Sequence, residues 1–298
     1  MRHILHLRHR PHTWTLYQTA VWGKIPAVTP AEVLIASLIG LVAGLVGGLC
    51  GIGGSIIMLP GLALAFGYDD AANTDHHRYM AAAMLVNVVV AAMSIRPHVR
   101  AGAIDRRIVL KLVPAMVVAI AAGVLLGDQV SGRVPKLVLV TFLFVFVAWT
   151  VFTAIARLPE PAPEQERATA PRLGAIGVAT GLLAGFLAIG GGTIMVPAMQ
   201  LAARVPLRRA IAASAAAMCV ASPIGAVMKF ASLPSHTDAL GEPLSRRSAF
   251  MLGMSMAAGA AIGSPLGARL THRLRLPHLR LAVAVVLGLS AAKMAGAF

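Results

Sequence analysis

No charged residue occurs between Glu32 and Asp69, a stretch of 36 residues. As one straight helix it would run about 54 Å at 1.5 Å per residue, against a bilayer hydrocarbon core of about 30 Å. The stretch must bend, break or turn back. Its weakest point is "GIGG" at Gly51–Gly54, since glycine supports a helix more poorly than any residue but proline. The second half of the chain carries a near copy: "GGLCGIGGSIIMLP" from Gly47 is matched by "AGFLAIGGGTIMVP" from Ala184. At an offset of 137, nine of the 19 positions in Gly44–Leu62 are identical to Gly181–Met199, four of them glycine and one the pair Pro60 and Pro197. Internal repeats of this kind are typical of transporters.

Composition sets the solvent. Of 298 residues 58% are hydrophobic and 12% charged, with a mean hydropathy of +0.79, whereas soluble domains carry roughly 25% charged residues. The class is all-α, a polytopic helical membrane protein. Further spans are expected at Tyr79–Ile95, Leu112–Gly127, Leu137–Ala156, Ala210–Met228 and Ser248–Ala268, with a last one from Leu281. Together with the two glycine-broken stretches they make eight segments in a four-plus-four plan. The domain boundaries read as a basic tail 1–32, a repeat 33–156, a Pro- and charge-rich connector 157–172 and a repeat 173–298, each repeat opening with a broken helix. An even number of crossings makes the repeats parallel; a further crossing after each break makes them inverted.

The 26 Lys and Arg against 11 Asp and Glu leave a net charge of +15, which fits loops retained by the positive-inside bias and a weaker field that attracts anions. The basic residues are scattered over short loops, which argues against nucleic acid as a partner. If each uncharged stretch crosses once, an inner N-terminus puts 16 Lys and Arg inside and 10 outside. The expected setting is the inner membrane, with both termini cytoplasmic. The apolar run from Val33 starts too far in for an ordinary cleavable signal, so the first span is expected to stay as an anchor. Cys50 and Cys219 lie one per half in apolar runs and read as packing residues. His3, His6, His9 and His12 read as part of a cationic tail.

Gly40, Gly44 and Gly48, like Gly177, Gly181 and Gly185, have the GxxxG spacing that lets a second helix approach closely. The clusters beyond them serve differently. Broken backbone at membrane depth is tolerated where it is buried in protein or lines a wet cavity. A short helix is expected after each break, Ser55–Gly67 and Thr193–Ala203, and its free N–H groups and dipole suit an anion. Tight packing of a kinked helix is the plainer reading of the same glycines. GxGxxG fails, because Ile56 stands where a glycine is needed. Asn87, Ser94, Ser214 and Ser222 are the polar residues inside spans. Every Asp and Glu falls in a loop or at a span edge and no histidine falls mid-span, which disfavours a cation substrate. No paired carboxylate, Ser–His or metal-ligand set lies in the spans, so an enzyme is not expected.

"GIGGSIIMLP" and "AIGGGTIMVP" resemble the paired glycine–proline signatures of the TauE/SafE family, the sulfite exporter family of permeases. "HVRAGAID" (His98–Asp105) and "GAAIGSPLGARLTHRL" (Gly259–Leu274) resemble its second-span loop and seventh-span ending, so the likeness runs from about Val33 onward. It implies transport of small anions such as sulfite, organosulfonates or other carboxylates, without a cofactor. Carried over by position, it points to Gly53, Gly54, Ser55, Gly190, Gly191, Gly192 and Thr193, with Ser214 as the hydroxyl of the following span. The chain departs from the pattern at Ser55, where a third glycine is usual, and at "AAAM" (Ala81–Met84), where a Thr–Ser pair is frequent. The reading is a secondary transporter, with an anion channel of the same fold as the alternative. Asn87 joins the candidate binding residues as the amide within the second apolar run. No metal is expected and nothing fixes an oligomeric state.

Overall fold

Among the described residues the apolar runs form helices whose ends are set by their polar flanks. Thr29 and Glu32 form a reciprocal capping box on the first helix, the Thr29 side chain accepting from the Glu32 amide and Glu32 from the Thr29 amide at 2.7 Å. Asp105 and Ser245 cap later helices by accepting from the Arg107 and Ser248 amides. In the computed structural model the described residues are 29–68, 71–155, 166–238 and 240–273, with 288, 291, 292 and 295. They form α1 (Pro30–Cys50), α2 (Ser55–Phe66), α3 (Asp75–Arg100), α4 (Arg106–Asp128), α5 (Arg133–Ile155), α6 (Ala170–Leu187), α7 (Gly192–Ala202), α8 (Leu207–Ser232) and α9 (Arg246–Thr271).

Among the described residues, seven helices are long and apolar enough to cross a membrane, and α2 and α7 are shorter apolar helices. The long helices outrun their uncharged cores at both ends, because caps and long cationic side chains extend them into the polar boundary. The outer surface is apolar: Val118 and Val227 stand 73% and 70% exposed, which suits lipid and not water. Most of the basic tail, its four histidines included, most of the connector and most of the span expected from Leu281 lie outside the described residues.

Contacts between helices fix their directions. Positions 40, 44 and 48 of α1 press on Met256, Ala260 and Ser264 of α9 in the same order, so these helices are parallel. Gly259, Gly263 and Gly267 of α9 face the Ser37, Leu41 and Leu45 carbonyls in return. The expected close approach is thus a reciprocal seam with small residues from both helices. The second seam pairs Gly177, Gly181 and Gly185 of α6 with Leu112, Met116 and Ile120 of α4, again parallel. Each seam joins one half of the chain to the other.

The 36-residue uncharged stretch does not cross once. Gly54 lies against Ala43 and Gly61 against Ile39, so α2 doubles back along α1. It then runs antiparallel to α3, with the Ser55 hydroxyl directed at the Ala83 carbonyl and the Tyr79 hydroxyl at the Gly67 carbonyl. In the second half α7 doubles back on α6, with Gly191 against Thr180 and Ala184 and the Arg167 amide on the Ala203 carbonyl. Ser264 donates to the Val90 carbonyl and Gly253 meets Ala82, so α9 also parallels α3. Helices α1, α3 and α9 therefore run one way, and α4, α6 and α8 the other. The matching helices of the two halves, α1 and α6, α3 and α8, α4 and α9, point in opposite directions.

Candidate functional site at the meeting of the two glycine loops

The two hairpins, α1–α2 and α6–α7, bring their loops together tip to tip. All nine candidate residues converge there: Gly53, Gly54, Ser55, Asn87, Gly190, Gly191, Gly192, Thr193 and Ser214. The four with side chains are at most 1% exposed. The backbone needs its glycines: Gly53 and Gly191 both have φ of 75°, a region that L side chains adopt at a penalty. Short helices start just beyond, α2 at Ser55 and α7 at Gly192, within a residue of expectation. They depart in opposite directions, so two helix N-termini, each with a partial positive charge, meet at the centre.

The polar side chains bind the loops to one another. Thr193 donates to the Ile52 carbonyl at 3.0 Å and Ser214 to the Gly51 carbonyl at 2.7 Å. Asn87 lies between the hairpins: its carbonyl accepts from the Gly54 amide at 3.2 Å, and its amide donates to the Ser55 hydroxyl at 2.5 Å and reaches the Ala188 carbonyl at 3.5 Å. Two of the hydroxyls expected to face an anion, Thr193 and Ser214, thus hold the opposing loop, while Ser55 bonds within its own half. Of the other polar candidates, Ser94 bonds its own helix at the Ala91 carbonyl, and Ser222 lines a small void with Met84, Asn87, Ile120, Ala184, Gly190 and Gly225. That void admits water centres over about 10 Å³, room for about one water and too little for an oxyanion. The arrangement is a closed one.

A second buried polar group lies two to three turns along α3 and α8. Lys229 of α8, fully buried, pairs with Asp128 at the end of α4, and its ammonium donates to His77 Nδ1 at 2.8 Å. His77 Nε2 then carries the hydrogen and donates to the Val130 carbonyl at 3.1 Å. His236 stacks on His77 at 3.8 Å and reaches Asp128 at 3.3 Å. His77, Asp128 and His236 bring ligand atoms within 4.8 Å of one another, but Lys229 contributes a full positive charge against two of them, so the group is a charge network and not a cation cage. Alongside it, burial foremost, then Tyr79 and Asp75, raises the Tyr68 phenol above its ordinary range, so it stays an O–H beside His76 at 3.1 Å.

Sequence reasoning missed this network because it ended the span at Met228 and began another at Tyr79. The available signal was one lysine interrupting an apolar run, "AVMKFAS". The absence of carboxylates or histidines mid-span stands as a statement about helix middles, but buried ionisable groups occupy the helix ends. At the opposite end Arg209 pairs with Asp105 and Glu166, and His98 meets His272 at 3.2 Å. Burial, with Arg208 adding, lowers the His272 imidazole below its usual range. Cys50 and Cys219 are in no disulfide.

Comparison with known proteins points to a membrane transporter. A probable membrane transporter protein, MamO, of Magnetospirillum gryphiswaldense is 27% identical over 91% of this chain, and the like-named protein of Paramagnetospirillum magneticum is 24% identical over 91%. The chain spans about half the length of these two relatives, 46% in each case. The probable membrane transporter protein MJ0441 of Methanocaldococcus jannaschii is 24% identical, over 87% of this chain and 92% of its own length. No solved structure matches. The family model described as sulfite exporter TauE/SafE matches residues 36–294, a range that includes both glycine loops and both seams, and the chain belongs to that family.

Proposed function

We propose that the protein is a secondary transporter of a small anion, sulfite or an organosulfonate, and that the anion sits between the two glycine loops. The supporting observation is the meeting of two oppositely directed helix N-termini, at Ser55 and Gly192, beside buried donors from Asn87, Thr193 and Ser214. Backbone amides and a dipole end suit negative charge, and the family and its relatives carry the names of transporters and not of enzymes. In the closed form the hydroxyls donate to loop carbonyls. Parting the hairpins releases those donors for an anion, and moving one half against the other exposes it to each side in turn. A void of one-water size is a poor match to an open channel.

The doubled-back hairpins bear on the orientation, which is proposed from loop charge. Because α2 and α7 return, the turn before α3 lies on the side where α1 starts, and loop charges sort differently from a simple count. The end bearing Arg100, Arg106, Arg107, Arg208 and Arg209 is richer in cations than the end bearing Arg133, Lys136, Arg246 and Arg247. The positive-inside bias supports an orientation with the Arg100 end in the cytoplasm of a bacterial inner membrane; α1 then starts from the outer face, opposite to the simple count. Cysteine labelling at residue 103 and at residue 240 in intact cells tests this, with label from outside expected at 240 alone.

The binding role is tested in proteoliposomes by counterflow of labelled sulfoacetate, a permanently charged organosulfonate. Asn87→Leu is expected to lower counterflow at least about 10-fold, the loss of a hydrogen bond to a charged group being about 1.5–3 kcal/mol. Wild-type flux in a correctly folded Asn87→Leu protein removes the site from between the loops. Export is the expected direction, checked by efflux from loaded cells against cells lacking the protein.

A further inference from the structure

The Lys229 network is the strongest feature that the central site leaves unused. A buried ion pair is weak evidence for stability, since an apolar pair of similar volume often serves as well or better. Ionisable groups within a membrane segment usually mark an ion or proton pathway. Three observations bear on which one. The Asp128 Oδ1 atom takes Lys229 and His236, while Oδ2 is buried without a hydrogen-bond partner among the described residues. The Asp128 and His236 side chains keep 10% and 11% exposure and lie at the end of the helices where α3 begins and α4 ends, which leaves them open to a proton from that end. The same two antiparallel helices carry both sites: His77 and Asn87 are ten residues apart on α3, and Ser222 and Lys229 seven apart on α8, about 15 Å and 10 Å along the axes.

From this geometry we infer that the Asp128–Lys229 pair, with His77 and His236, is the site of a coupling proton. The inference rests on the transporter reading above. The groups facing Asp128 are Lys229 from α8, His77 from α3 and His236 from the loop after α8, with His76 of α3 and Lys136 of α5 behind them. With Asp128 ionised, the carboxylate and the ammonium cancel and the network is closed. A proton arriving from the exposed side adds to the free Oδ2 atom, and the carboxylate becomes a neutral acid that no longer holds the ammonium. Lys229 is left with the His77 lone pair, and the network gains one net positive charge. That charge lies on the helices that carry Asn87 and Ser222, where it favours entry of an anion between the loops. Release of the anion favours return of the proton, so the two move together.

The test uses full-length protein in proteoliposomes at clamped zero potential, with labelled sulfoacetate as the probe and a trapped pH dye. Two readouts are taken: counterflow, which needs no net proton movement, and accumulation driven by a one-unit pH gradient, acid on the sulfoacetate side. Wild type is expected to show counterflow, about 10-fold accumulation above equilibrium for one proton per anion, and acidification of the lumen as sulfoacetate enters. Asp128→Asn leaves a buried ammonium unpaired and risks misfolding. The double variant Asp128→Asn/Lys229→Gln removes both charges together. It is expected to keep counterflow and lose gradient-driven accumulation, a split that a purely structural pair would not produce. Gradient-driven sulfoacetate uptake by the wild type without lumen acidification overturns the inference by itself, as does accumulation unchanged in the double variant. A wild type silent in counterflow fails the transporter reading, and the proton site goes with it.

Discussion

The two glycine loops begin as copies and end as different structures. Gly51 and Ala188, the matched turns that close α1 and α6, share a left-handed backbone, with φ of 63° and 57°. Gly53 and Gly190 match again, at 75° and 71°. The next pair diverges: Gly54 is right-handed at −83° and Gly191 left-handed at 75°. Hydrogen bonds diverge too. The second half gives two hydroxyls, Thr193 and Ser214, to the carbonyls of the first loop, whereas the first half gives Ser55 to its own α3 and only Asn87 to the second loop. Two identical loops related by a two-fold would present a lone solute with duplicate contacts. The divergence leaves one loop held by hydroxyls and the other by an amide, so a single anion at the centre meets two different walls.

The largest expected effect is at a pair where the copies differ in residue, Ser55 and Gly192. A Cβ on Gly192 would lie 2.0 Å from the Gly51 carbonyl oxygen and 2.8 Å from Ile52 Cα, both backbone atoms that cannot rotate away. Gly192→Ala is expected to destabilise by about 3 kcal/mol as the loops are forced apart. Its counterpart Ser55→Gly loses a 3.4 Å hydroxyl contact and the Asn87 partner, worth about 1 kcal/mol. Thermal denaturation in detergent compares them. Equal losses would mean that the loops do not touch as described. This contact also accounts for the serine at position 55: the glycine is needed only on the loop against which the other one presses.

Next come the hydroxyls. Thr193→Val strips the donor from the Ile52 carbonyl and Ser214→Ala from the Gly51 carbonyl. Each leaves a buried acceptor unpaired, a loss of about 1–3 kcal/mol. Ser55→Ala is expected to be milder, because the Ala83 carbonyl it meets belongs to a helix turn that already provides an amide. If these donors lock the closed form, both larger losses should come with faster sulfoacetate counterflow at saturating substrate. Slower flux with unchanged stability would instead make them ligands only.

Much of this contrast was legible in the sequence. The breaks and the short helices after them follow from glycine pairs in uncharged runs, and Asn87 stood out as an amide within an apolar run. The return of α2 and α7 was not legible, because a stretch without charge carries no mark of direction. The partner of the GxxxG faces was also hidden. Gly259, Gly263 and Gly267 have the same spacing, but spacing alone does not say which of several small-residue faces will meet. Lys229 was missed for a related reason: a long apolar stem lets an ammonium sit inside a helix, so treating a lysine as the end of a span cut the helix one turn short.

The smallest effect tests a turn at which the copies share a left-handed backbone and differ only by a methyl group. Ala188 holds a left-handed turn that glycine holds at position 51, and such a turn disfavours an L side chain by roughly 1–2 kcal/mol. Ala188→Gly relieves that strain, while glycine's greater freedom in the unfolded chain takes part of the gain back. A net stabilisation of about 0.5 kcal/mol is expected. Gly51→Ala should have the opposite sign and a larger size, since its Cβ would also lie 2.8 Å from Ile211 Cγ2 and 2.9 Å from the Ile211 carbonyl. At position 188 the methyl group is already packed, with no exposure, so its removal opens at most a methyl-sized gap. If Ala188→Gly destabilises instead, that packing outweighs the strain, and the second loop is held by its contacts more firmly than the first.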